Sequence, residues 1–124
     1  MDGPFQKRNK YHAEKITTEG YSFASKLEAS TFQIIKLREK AKELKLVQVQ
    51  ATVYLTPARI KYVPDFKCID LRTGEDLYIE AKGYEGERWG IIKKLWAFYG
   101  PGKLEVWKGN HLKPFLDEVI LCVR

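Results

Sequence analysis

The chain has 124 residues, with 22 Lys plus Arg against 16 Asp plus Glu for a formal charge of +6, and 44% of its residues are hydrophobic. That length suits one domain with its own core, and the apolar and aromatic content excludes a disordered tail. No apolar run approaches the ~20 residues of a membrane span, so a soluble protein with a polyanionic partner is expected and a membrane protein is not.

Residues 1–22 show no clear period and mix Lys7, Arg8, Lys10 and Lys15 with Phe5 and Tyr11. They read as a basic N-terminal arm, either a nucleic-acid contact or a solubilising tail, and residues 23–124 as a single domain. The start lacks the apolar stretch of a secretory signal. Cys68 and Cys122 are too few for a disulfide scaffold, so a cytoplasmic protein with reduced thiols is expected.

Ser25 followed by Glu28 forms a capping box, which predicts a helix from Lys26 to about Leu44. In the next run, Val47, Val49, Ala51 and Val53 alternate with Gln48, Gln50 and Thr52, the pattern of one half-buried strand that Pro57 ends. A second extended run covers roughly Arg59–Leu71, with a bend at Pro64. Arg72 to Asp76 supplies a turn and Leu77–Ala81 the returning strand, which makes a hairpin. Trp89, Ile92, Leu95, Trp96 and Tyr99 fall at helical spacings, and Gly100-Pro101-Gly102 stops that helix. A strand at Lys103–Trp107 would complete the second half of a βαβ unit. A short helical turn near Pro114–Glu118 and a final strand through Val119-Ile120-Leu121-Cys122-Val123 close the chain. The expected fold class is α/β, a small mixed β-sheet flanked by helices.

The chemistry concentrates on the hairpin. Pairing its arms lets Asp65 and Glu80 reach one point, and strand alternation places Glu80 and Lys82 on one face with Ala81 opposite. Two carboxylates and an ammonium suit metal-assisted phosphodiester hydrolysis, with magnesium, or manganese in its place, favoured over zinc by the all-oxygen donors. Lys82 would either hold or deprotonate the attacking water, or stabilise the pentavalent phosphorus. Glu28 serves either as the helix cap alone or also as a metal ligand. Lys93 and Lys94 follow the motif on a helix, where they are either solvated or aligned with a phosphate backbone. Trp89 and Trp96 read as core, and His12 and His111 have no partners at metal spacing. No phosphate loop, covalent nucleophile or organic-cofactor motif is present.

Pro64-Asp65, Glu80-x-Lys82, the upstream Ser25-x-x-Glu28 helix and the downstream helix with Lys93-Lys94 together resemble the PD-(D/E)xK nuclease superfamily, and within it small phage endonucleases such as the endonuclease I-type junction resolvases. The resemblance spans about residues 21–107. It implies a restriction-endonuclease-like fold, Asp65, Glu80, the Ala81 carbonyl and Glu28 as metal ligands, Lys82 as the catalytic lysine, magnesium as cofactor, and a homodimer that cuts branched DNA such as Holliday junctions. The alternatives are a non-catalytic nucleic-acid-binding module of the same fold, and a protein-interaction domain.

Overall fold

The computed structural model describes residues 16–123. Strands β1 (Ile16–Thr18) and β2 (Tyr21–Phe23) form a hairpin that begins inside the stretch read as an arm and ends on Phe23, the first residue of the domain. Its two turn residues, Glu19 and Gly20, both have positive φ, 50° and 85°, the geometry of the tight turn whose twist matches the flanking strands. The rest of the arm, including Lys7, Arg8 and Lys10, lies outside the described residues.

Helix α1 (Lys26–Lys40) starts where the capping box places it, with the Ser25 hydroxyl accepting the Glu28 backbone N–H at 3.0 Å. It ends four residues earlier than the apolar stripe suggests. Lys42 adopts φ 62°, the Lys42 N–H donates to the Glu39 carbonyl and the Glu43 N–H to the Arg38 carbonyl, each at 3.0 Å. This pair of reverse bonds closes the helix as a glycine ordinarily would, and Leu44 opens a strand instead.

The expected single strand after α1 is two, β3 (Leu44–Val49) and β4 (Val53–Leu55). They part at Gln50, whose φ is 58° and whose N–H leaves the strand to bond the Asp65 carbonyl at 2.8 Å. β4 pairs with β5 (Ile60–Tyr62) in a small separate hairpin. After Pro64 come β6 (Phe66–Asp70) and β7 (Asp76–Ala81), antiparallel as expected, then helix α2 (Glu87–Tyr99) and β8 (Lys103–Asn110), which lies parallel to β7 and completes the βαβ unit. The helical turn expected near Pro114–Glu118 is absent. That segment belongs to β9 (Lys113–Ile120), antiparallel to β8. Proline is tolerated there because β9 lies at the sheet edge and Pro114 near its start.

The main sheet runs β3-β6-β7-β8-β9, so β7 is its central strand. Alternation sends Leu77 and Ile79 to one face, packed with Phe23, Phe32, Ile35 and Phe66, and Tyr78 to the other, packed with Trp89, Ile92, Trp96, Leu104 and Val106. The result is a mixed α/β sheet with α1 on one face and α2 on the other. Gly100 must lack a side chain, because a Cβ there would stand 2.6 Å from the Trp96 ring. Cys68 is a buried free thiol, and burial pushes it up to about 12, which leaves it inert. Among the described residues no helix is long and apolar enough to cross a membrane.

Candidate metal-dependent catalytic site

The β6–β7 register pairs Phe66 with Ile79, which sets Asp65 and Glu80 side by side just beyond the end of the ladder. The Asp65 Oδ2 accepts the Ala81 backbone N–H at 2.8 Å. A strand residue projects its N–H and C=O to the same edge, so the Ala81 carbonyl faces the Asp65 side while the Lys82 N–H turns the other way, to the Trp107 carbonyl at 2.8 Å. Glu80 is 7% exposed and lies on the α2 face of the sheet. Its Oε1 accepts the Tyr62 hydroxyl at 2.8 Å, and its carboxylate also accepts the Asp65 backbone N–H.

Lys82 Nζ stands 3.8 Å from Glu80 Oε2 and 4.5 Å from the centre of the Trp89 ring. The ammonium is thus held between a carboxylate and an aromatic face. Glu28, 9% exposed, approaches from α1 on the opposite side and engages the Asp65 carboxyl. Its capping role and its place beside Asp65 coexist: the Ser25 hydroxyl accepts the Glu28 backbone N–H and reaches Glu28 Oε1 at 3.5 Å, while the same carboxylate engages Asp65.

Burial lifts the Asp65 carboxyl well above the usual carboxylate range, and the neighbouring Glu80 and Glu28 charges lift it further. Burial raises Glu80 as well, against the hydrogen bond from Tyr62 and the charge of Lys82. A buried acid pair of this kind takes up a proton readily, or exchanges it for a cation. Among the described residues no group of three His, Cys, Asp or Glu side chains stands ready-made around one metal position. Magnesium needs no such cage, since it commonly uses one or two protein carboxylates and fills its other positions with water and phosphate oxygens. The Asp65 and Glu80 carboxylates and the Ala81 carbonyl fit that hard-oxygen demand.

The site therefore unites Asp65, Glu80, Ala81, Lys82 and Glu28. It does not include Lys93, whose Nζ is tied to Glu118 Oε1 on β9 at 3.0 Å, or Lys94, which is exposed on α2. Sequence reasoning gave Tyr62 no role, yet it fixes the Glu80 carboxylate. The available signal was its position three residues before Asp65, on the strand leading into the motif. A family model described as "Protein of unknown function (DUF1064)" matches residues 8–108. No curated protein and no solved structure matches the chain.

Proposed function

The chain belongs to the DUF1064 family, and we propose that it is a magnesium-dependent DNA endonuclease of the PD-(D/E)xK type, working as a homodimer on branched DNA. The observation that carries this reading is the buried Asp65–Glu80 pair at the end of a central hairpin, with Lys82 on the same strand 3.8 Å from Glu80. A fold has no structural need to bury two neighbouring acids, both of which burial raises, with the Glu28 charge adding to each.

Asp65, Glu80 and the Ala81 carbonyl would hold the metal, with Glu28 supporting Asp65. Magnesium, when bound, neutralises phosphate charge and makes a bound water more acidic. Tyr62 orients Glu80 by its hydroxyl. Lys82 presents a cation to the attacking water or to the charge that builds on the phosphate oxygens, and Trp89 beneath it keeps bulk water from one side. Two copies supply two such sites for two strands.

Incubating the protein with supercoiled plasmid, linear duplex, single-stranded and four-way-junction DNA, with and without magnesium, tests this directly. Junction cutting that requires magnesium is expected, with gel filtration giving a dimer. Salt-sensitive binding with no cutting of any substrate overturns the enzymatic reading in favour of a binding module.

A further inference from the structure

Beside the acid pair, and not part of it, lies a cavity of about 260 Å³ between the β5 strand and the start of α2, lined by Lys61, Tyr62, Val63, Lys82, Arg88, Trp89 and Ile92. Three of these residues are cationic and none is acidic. Arg88 is exposed, and its Nη2 donates to the Lys61 carbonyl at 3.1 Å, which ties the helix to the small hairpin and leaves most of its donors free of that bond. The start of α2 is capped by Gly86, with no side chain bonded to its first amides. Those amides and the helix dipole favour an anion at that end.

An independent feature points to a ligand. Trp89 is 3% exposed, and its Nε1–H is a buried polar atom with no hydrogen-bond partner among the described residues. Indole N–H is a donor only, and burying it unpaired is unfavourable unless something arrives to accept it. The required partner is an acceptor, and Trp89 itself lines a pocket that also holds three cationic residues, Tyr62 and a helix N-terminus. A phosphate oxygen meets every one of these demands.

We infer that this pocket seats a phosphodiester group of the bound nucleic acid, next to the phosphate that is cut, with Arg88 and Lys61 supplying charge and the Trp89 indole N–H a directed hydrogen bond. The inference rests on the nuclease reading for its occupant, and shares Lys82 with that site. Seating a neighbouring phosphate in this way fixes the strand along β5 and α2, so that the adjacent phosphate is presented to Asp65 and Glu80. Phosphate contacts of this kind set register without reading sequence.

The test measures equilibrium binding of a fluorescein-labelled 20-mer, single-stranded and duplex, in EDTA between 50 and 200 mM KCl. It compares wild type, Arg88→Gln and Trp89→Phe, with inorganic phosphate as competitor. Loss of one phosphate contact should lower the slope of log affinity against log salt by about 0.9 on duplex in Arg88→Gln, with weaker binding throughout. Trp89→Phe keeps an aromatic ring and deletes only a neutral donor, so affinity should fall about fivefold with the slope unchanged. Arg88 is exposed, so Arg88→Gln leaves the fold intact and decides the matter if the tryptophan variant unfolds. Wild-type affinity and slope in Arg88→Gln overturn the proposal. So does a pocket that takes inorganic phosphate while oligonucleotide binding stays unaltered in both variants. Because magnesium is absent, these results stand whether or not the protein cuts DNA. Altered slopes alongside a wild type that never cleaves would sink the nuclease reading and leave the phosphate pocket standing.

Discussion

Asp65→Asn should stabilise the metal-free protein at pH 8 while destroying its response to magnesium. The Asp65 carboxyl is raised above its unfolded value by burial and by the Glu80 and Glu28 charges. The folded state therefore holds a proton that the unfolded state has released, and stability falls as pH rises from the unfolded pKa of about 4 toward the folded one. Above both, the whole penalty is present. At an effective dielectric near 20, like charges on neighbouring side chains repel by about 3 kcal/mol. Asparagine keeps an oxygen for the Ala81 N–H but gives up the charge-assisted part of that bond, about 1 kcal/mol. The net gain is about 2 kcal/mol, or about 8 °C in Tm for a chain of this size. The assay is thermal unfolding in EDTA at pH 8 and at pH 3.5, repeated at pH 8 with magnesium. The advantage of the variant should vanish at pH 3.5, and magnesium should raise the Tm of the wild type alone. A variant less stable than wild type at pH 8, or an equal magnesium shift in both proteins, refutes the reasoning.

Other residues carry predictions of different sign. Arg38 makes a two-pronged pair with Glu105, at 2.7 and 3.1 Å, and Glu105 is only 6% exposed. Arg38→Leu should cost about 3–5 kcal/mol in urea unfolding by leaving that carboxylate buried without its cation and with only the Trp107 indole N–H as a partner, and Glu105→Gln in the same chain should restore part of it. Asp70 is held below the usual carboxylate range by the Arg72 backbone N–H first of all, so its contribution is present above pH 4 and is lost as pH falls through its lowered value. The stability difference between wild type and Asp70→Asn should accordingly shrink on acidification, which is opposite to the course for Asp65. Tyr62→Phe frees the Glu80 carboxylate from its hydroxyl. Cleavage should slow by about tenfold with the fold intact by circular dichroism, because a misplaced metal ligand weakens binding and geometry together.

The hairpin, its carboxylates and the capped start of α1 were legible because each rests on local rules: strand alternation, a turn rich in Gly and Asp, and a Ser-x-x-Glu cap. The failures sit where the backbone takes left-handed conformations without glycine. Lys42 ends α1 and Gln50 splits β3 from β4, at φ 62° and 58°, and neither residue type announces that geometry. Gln50 is held there by the Asp65 carbonyl, fifteen positions along the chain, a contact no local window contains. The segment Pro114–Glu118, expected as a helical turn, is instead edge strand, where a proline near the start is accommodated. The role of Tyr62 and the unpaired indole of Trp89 were invisible for a related reason. Both depend on which side chains the packed faces bring together, and the sequence pattern marks each simply as an aromatic destined for the core.

The most direct measurement is nicking of supercoiled plasmid in magnesium by wild type, Asp65→Ala, Glu80→Ala and Lys82→Ala, each first shown to be folded. Wild type should nick only with magnesium, calcium should support binding without turnover, and all three variants should lose cleavage. Undiminished cutting by Glu80→Ala, or wild-type cutting in EDTA, would contradict the assignment of this buried acid pair as the catalytic centre.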